Sequence, residues 1–558
     1  MYHFKPVWII FLLIGFVSCT PETHTTVIHN VNGYTLNADG ELLQFDTIVF
    51  REGKILSVGS EQELLESYER SLTIDYEGKT MLPGLIDAHA HIFGLGESLM
   101  RVQLMGTTSL EETLKRISDY AESFSDVSWI TGRGWNQTLW EENQFPLASD
   151  LDAIVADRPV YLTRVDGHAA WVNSKALELA GITKETPDPQ GGSILRDENG
   201  EATGILIDKA MQLVSSQIPE QTDSERRNAL TMALETIAGY GLTGVHDAGV
   251  SAQNFKIYDE YNSQNRLTTR VYGLISDVGE HFDEIARDGP VTDEESEMLT
   301  VRSVKIYSDG ALGSRGAALM EDYSDDPGNK GLLFETEDDF FEKFKKASSA
   351  DFQIGVHAIG DRANRVILNA FERLIEEHGE KGLRHRIEHA QIVSLEDIPR
   401  FAPLKLIASM QPTHATSDMN MAEERVGPER IKGGYAWRTF LEHGVVVASG
   451  SDFPVEEVNP FFGLHSAVNR TDHDGNPDGG WYANESMSRI EALRSFTVDA
   501  AYAGHSEDRL GSLEPGKWAD FIIIDQDFFT IDEADIWKIN VLETWVGGKR
   551  VFPKEVIR

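Results

Sequence analysis

The sequence predicts an α/β protein whose middle is built of parallel β/α units and whose two ends are rich in short strands. Three observations lead there. Between residues 241 and 503, short apolar runs alternate with helical stretches, the pattern of parallel β/α units. Both chain ends carry brief β-type runs punctuated by glycine turns. Histidine, lysine or aspartate closes several of the middle runs, at the strand ends where a β/α barrel places its active site.

Composition narrows the functional classes. Hydrophobic content of 41% and charged content of 25% are those of a folded chain, and 558 residues exceed one ordinary core, so two or three domains are expected. With 91 acidic against 50 basic residues, the net charge of -41 repels phosphate backbones and argues against nucleic acid as a partner. At the N-terminus, Lys5 precedes an apolar run over 7–17, shorter than the ~20 residues a spanning helix needs, so it reads as an export signal. The run ends at Ser18-Cys19 and turns polar at Thr20-Pro21-Glu22-Thr23. This end resembles a bacterial lipoprotein signal, which implies a lipid on Cys19 and a membrane anchor facing the periplasm or the cell surface. Cys19 is the one cysteine of the chain, so no intrachain disulfide can form. A plain secretory signal is the competing reading.

Taken in order, the segment after the signal offers β-type runs over 26–30, 47–50, 55–59 and 72–75, with turns at Asn32-Gly33 and Glu52-Gly53. The C-terminal end has the same character, with a run over 521–525 and a hairpin around Gly547-Gly548. The two ends are either separate domains or halves of one sandwich, because short edge strands need partners. In the middle, strands are expected over 85–91, 241–247, 301–309, 353–357, 384–389, 406–410 and 445–452, with helices over 341–350, 364–378 and 489–503. Between His91 and Gly241 the alternation breaks down. That stretch reads as an insertion with a strand over 159–163, a helix over 171–180 and a turn at Gly191-Gly192.

The chemistry gathers at strand ends. In Pro83-Gly84-Leu85-Ile86-Asp87-Ala88-His89-Ala90-His91, strand alternation puts Leu85, Asp87, His89 and His91 on one face. Two neutral imidazoles side by side suit a divalent cation, although such a pair also occurs as ordinary polar residues at a sheet edge. Lys305 and Asp309 share a face of their strand, and His357 alternates with Gly355 and Gln353. His389 ends its strand less cleanly, since alternation sets Ile387 on the histidine face, and Asp452 ends the last strand. Each has an ordinary alternative: a hydrogen-bonded loop histidine, a helix-capping aspartate or a lysine reaching to solvent. Glu388 and Arg386 read as a structural ion pair. The order His-x-His, Lys, His, His, Asp on successive strands is one that chance rarely supplies.

That order joins further motifs: 164–173 (Arg-Val-Asp-Gly-His-Ala-Ala-Trp-Val-Asn), 309–315 (Asp-Gly-Ala-Leu-Gly-Ser-Arg), His357-Ala358-Ile359-Gly360-Asp361, Ile387-Glu388-His389-Ala390-Gln391, Gly450-Ser451-Asp452-Phe453-Pro454 and 511–520. With them the chain resembles the amidohydrolase superfamily, and within it the amidohydrolase family 3 group that includes N-substituted formamide deformylases. The resemblance runs from about residue 30 to the C-terminus. It implies a (β/α)8 TIM barrel, a composite β-sandwich built from both chain ends, and an α/β subdomain inserted after strand 1. The boundaries it implies are a signal over 1–19, sandwich parts over 20–82 and 511–558, and a barrel over 83–510 with the insertion at about 100–225.

The resemblance also implies a site. His89, His91 and Asp452 would hold one ion and His357 and His389 a second, bridged by a carboxylated Lys305. Zinc suits imidazole and carboxylate ligands. Asp452 would serve as general base and then general acid. Gly360 stands where the purine-deaminase branch carries a glutamate, which argues against deamination. Trp135, Asp166 and His168, with Trp171, are candidates for a lid over the barrel mouth, and Arg315 for a fork holding a substrate carboxylate. Core packing and a loop ion pair are the alternatives for these residues. His246, His385 and His414 are left outside the metal set. The expected activity is hydrolysis of a non-peptide carbon–nitrogen bond (amide, N-formyl or N-acyl) in a small molecule. A cyclic-amide or dipeptide-type hydrolase and a lipid-anchored binding protein that has lost turnover are the alternatives. A homodimer is left open.

Overall fold

Eight parallel strands form the centre of the computed structural model, which describes residues 25–554 apart from 38, 39, 70, 126 and 142. They are β1 (Leu85–Ala90), β2 (Leu242–Val250), β3 (Arg270–Ser276), β4 (Leu299–Tyr307), β5 (Gln353–Ala358), β6 (Arg386–His389), β7 (Ile407–Met410) and β8 (Val447–Ser449). Each pairs with the next in sequence order from β1 to β8. Most of their residues are buried on both faces, as parallel strands covered by helices require.

The ring closes without a ladder between β8 and β1. Asp452 N donates to His89 O at 2.7 Å, and His91 N donates to Phe453 O at 2.8 Å. Asp87, fully buried on β1, accepts from Ser451 N at 3.1 Å and from Ser451 Oγ at 2.6 Å. Gly450 makes this approach feasible: a Cβ there would lie 2.5 Å from both Asp87 Oδ1 and His89 N. Closure therefore sets the two β1 histidines beside Asp452. Strand β3 has no counterpart among the strands expected from sequence. It carries Gly273 at its centre, and Asp277, the residue after its end, pairs with Lys343 away from the cage.

Both chain ends enter one sheet, in the order Lys549–Phe552, Val541–Val546, Phe521–Ile524, Leu72–Pro83, Thr26–Leu36, Thr47–Arg51 and Lys54–Gly59, with Leu42–Phe45 added on Thr26–Leu36. Phe50 and Trp545 sit four strand steps apart, about 19 Å in a flat sheet. Their ring centroids lie 6.1 Å apart, so the sheet folds over its own apolar face. Ile28, Ile48, Met81, Phe521 and Ile523 fill the space between. This is the composite sandwich, and its strand Leu72–Pro83 leads straight into β1.

The insertion holds a six-stranded sheet running from Val102 to Asp208. Trp171 lies in the strand Ala169–Val172, and the helix expected over 171–180 is confined to Ser174–Leu179. The reason is the cap. Asn173 accepts from Ala176 N at 3.0 Å and fixes the helix start three residues later than apolar periodicity suggests. Among the described residues, no helix is long and apolar enough to cross a membrane. Cys19 and the expected signal lie outside the described residues.

Candidate metal centre

The residues at the C-terminal ends of β1, β4, β5, β6 and β8 converge inside the barrel. The ring centroids of His89 and His389 are 4.8 Å apart, and those of His357 and His389 are 4.6 Å apart. Candidate ligand atoms of His89, His389 and Asp452 all lie within 4.8 Å of one another. Around this trio, His91 Nε2 stands 3.0 Å from Asp452 Oδ1, and Lys305 Nζ stands 3.0 Å from His89 Nε2. The compact trio takes members from both ligand sets expected from sequence, so it does not follow that division.

Strand alternation delivers only part of the set. His357 shares its face with Gly355 and Gln353, as expected. On β6, Arg386 and Glu388 face into the barrel, which by alternation turns His389 away. The backbone of His389 has φ +72, and that of Asp452 has φ +64. Left-handed backbone at non-glycine residues costs about 1–3 kcal/mol and clusters at functional sites. Here it re-aims both side chains into the cage and resolves the parity conflict that Ile387 raised. Gly355 leaves the space Glu388 fills, since a Cβ there would meet Glu388 Oε1 at 2.6 Å.

The imidazoles are held in a ligating form. His89 Nδ1 lies 2.5 Å from Glu388 Oε2, and His389 Nδ1 lies 2.7 Å from Gln411 Oε1. Both ring nitrogens therefore donate outward, and each Nε2 lone pair faces the cage. Burial, followed by the charge of Lys305, lowers His89 to about 4. The same two causes lower His357 to about 3, and burial holds His389 well below its ordinary range. Burial alone would raise Asp452, but the contact with His91 leads the opposing interactions, and the carboxyl is held well below its ordinary range. Burial brings Lys305 down to about 8.

The donor set fits a divalent cation. His357 Nε2 and His414 Nε2 are buried and lack a hydrogen-bond partner among the described residues, and Asp452 Oδ1 meets His91 alone at hydrogen-bond distance, so that the cage gathers three acceptor atoms with one donor between them. Buried polar atoms without partners are rare in native structures, and two in one cage call for a ligand. Neutral imidazole and ionised carboxylate are the chemistry of a zinc-type site. His89, His389 and Asp452, with His91, His357 and Lys305 beside them, are the residues that would hold it.

The other candidates lie elsewhere. Trp135 is fully buried in the inserted sheet, donating Nε1–H to Leu162 O at 2.8 Å and packing on Trp140 and Trp171, so it is a core residue and not part of a lid. His168 is 76% exposed and pairs with Asp208, while Asp166 pairs with Arg164. Arg315 directs its fork at Asp325 at 2.8 Å, which makes it the loop ion pair and not a free carboxylate clamp. Asp309 accepts from the backbone of Ala318, Ile359 and Gly360, tying together the loops after β4 and β5.

His414, left outside the expected metal set, and Gln411, which the sequence did not single out, also reach the cage. His414 Nε2 lies 3.7 Å from Asp452 Oδ2. The signal was present: Gln411 directly follows β7, and Pro412 opens the helix Pro412–Asp418, so its first turn stands over the strand ends.

Residues 72–552 match the model of a family described as the amidohydrolase family. The chain is 35% identical over 536 residues to Protein LONG AFTER FAR-RED 3 of Arabidopsis thaliana, covering 94% of this chain and 91% of that protein. It is 27% identical over 537 residues to an N-substituted formamide deformylase of Arthrobacter pascens, covering 94% of this chain and 97% of that enzyme. Among solved structures, an uncharacterized metal-dependent hydrolase from Pyrococcus furiosus superposes with TM-score 0.75 at 30% identity, covering 91% of this chain and 100% of that one.

Proposed function

This chain belongs to the amidohydrolase family, and we propose that it hydrolyses a non-peptide carbon–nitrogen bond (an amide, N-formyl or N-acyl bond) in a small molecule. The observation that carries the reading is the buried cage of neutral imidazoles closed by an ionised Asp452. A divalent ion bound there supplies a water acidified from about 15.7 toward about 7 and polarises a carbonyl oxygen.

The remaining steps belong to the chain's own residues. Glu388 and Gln411 fix the tautomers of His89 and His389, so the cage needs no rearrangement before it binds. Asp452, at the edge of the cage, accepts a proton from the attacking water and passes it to the leaving nitrogen, which cannot depart as an anion at neutral pH. Its lowered pKa makes it a weak holder of that proton and a ready donor. Lys305 fits the carboxylated role. At a pKa of about 8, roughly a tenth of it is the neutral amine at pH 7. That form adds carbon dioxide, which would replace a cation by an anion within 3.0 Å of His89 Nε2. On this reading His89, His91, His357, His389 and Asp452, with a carboxylated Lys305, would hold two divalent ions of zinc type.

The deformylase relative supports N-formyl compounds as the first substrates to try. The test is a hydrolysis screen of zinc-reconstituted protein against N-formyl, N-acyl and cyclic amides, with Asp452→Asn as control. Turnover of an N-formyl or N-acyl compound, lost in the variant, is expected. Metal-replete protein that binds amides and turns over none of them would replace this reading by that of a binding protein. Export and lipid attachment at Cys19 form part of the proposal. Cells labelled with a fatty acid are expected to mark the wild-type chain and not Cys19→Ser, and equal labelling would refute the anchor.

A further inference from the structure

At the opposite end of the barrel from the cage, the first residues of β3 and β4 line a cavity of about 60 Å3. A single water needs about 10–15 Å3, so this space takes a group of several heavy atoms. Its walls are rich in cationic side chains. Arg270 is neutralised by Asp520 through contacts of 2.6 and 3.0 Å, and Arg509 by Glu297 at 2.8 Å. Arg302 is the exception. It has no ion-pair or hydrogen-bond partner among the described residues, and its Nε is sealed from solvent.

The backbone explains how Arg302 reaches the cavity. Thr300 pairs with Tyr272 and Val301 with Gly273, but the next pair is Ser303 with Leu274. Arg302 is thus the extra residue of a β-bulge, a device that re-aims a side chain. Thr300 and Ser506 add hydroxyls to the wall.

We propose that this cavity is a second binding site, for a small oxyanion of carboxylate or phosphate type held by the fork of Arg302. A planar guanidinium is matched to two oxygens of such a group. The site is separate from the metal cage. The wall residue His246 receives Arg386 Nη1 at 2.9 Å, and Arg386 and Glu388 fill the barrel axis between the two.

The test is calorimetric titration of the metal-loaded full chain with acetate and with inorganic phosphate, each against chloride at equal ionic strength. Saturable one-site binding of one anion is expected, and which anion binds tells carboxylate from phosphate. Arg302→Gln is expected to weaken it by about tenfold or more, the loss of a charge-assisted contact. Gly504→Ala gives a second route, since its added carbon would enter the cavity 2.9 Å from His246 Nε2 and block binding with Arg302 intact. Asp452→Asn is expected to leave the binding unchanged. Absence of saturable binding in the wild type, wild-type affinity in both cavity variants, or loss of binding only in Asp452→Asn would overturn the assignment.

Discussion

Replacing Glu388 by glutamine probes how the barrel interior prepares its ligands. Glu388 is fully buried and accepts from Arg386 Nε at 2.5 Å, from Arg386 Nη2 at 2.9 Å and from His89 Nδ1 at 2.5 Å. Arg386, equally buried, also donates to Ser409 Oγ at 2.7 Å and to Ala88 O. Glutamine keeps the shape and removes the charge. Breaking a buried pair from one side costs about 3–5 kcal/mol, because the remaining ion stays out of water. Set against a typical total of about 5–15 kcal/mol, Glu388→Gln is expected to fold with much reduced stability. Glutamine also offers one acceptor oxygen to two donors. If that oxygen faces Arg386, its amide N–H faces His89 Nδ1 and moves the imidazole proton to Nε2, the ligating atom. Loss of such a partner lowers metal affinity by about 10–100-fold. Competition with a metal-sensitive dye measures the affinity, urea denaturation measures the stability, and Glu388→Asp serves as the charge-retaining control. Wild-type affinity and stability in Glu388→Gln would refute the tautomer argument.

Three further outcomes are expected. Lys305→Met removes a buried ammonium whose pKa lies near 8 against an ordinary 10.5. The cost of burying it is present below pH 8 and is relieved as pH rises toward 10.5, so the metal-free variant is expected to gain on the order of 1–4 kcal/mol at neutral pH while binding less metal. Unchanged metal content by elemental analysis would remove Lys305 from the site. His89 and His357, lowered to about 4 and about 3, stay neutral in the fold while the unfolded chain takes up protons below its ordinary histidine range. Their contribution is full above pH 6.5 and is lost as pH falls toward 4 and 3, so urea midpoints of metal-free protein should decline across that window and less steeply in His357→Gln. Gly450→Ala places a carbon 2.5 Å from His89 N and Asp87 Oδ1. A loss of about 1–3 kcal/mol or more is expected, and a thermal midpoint equal to wild type would show that the β8–β1 closure tolerates a side chain.

Much of the site was legible because strand alternation is a reliable ruler over short distances. It placed His89 and His91 together and brought Lys305 and His357 to the inner face. It failed at His389, where a left-handed residue breaks the period, and a backbone turn of that kind leaves no trace in hydrophobic pattern. His414 also lies near a strand end, but the better-matched residues already fill the expected shell, and it enters from the helix after β7. The tryptophans of the insertion stayed open to two readings, core and lid. Trp135 and Trp171 build the core of a separate sheet, and an aromatic residue near a glycine turn reads alike in a core and in a lid. Strand β3 was missed because it contributes packing and no ligand.

The central claim is that His89, His389 and Asp452 close around a metal ion. The most direct measurement is an anomalous difference map of the zinc-reconstituted protein, collected on both sides of the zinc edge. The account expects a peak about 2.0–2.2 Å from the Nε2 atoms of His89 and His389 and from a carboxylate oxygen of Asp452. Zinc found only away from these three side chains, with the cage empty of anomalous signal, would contradict it.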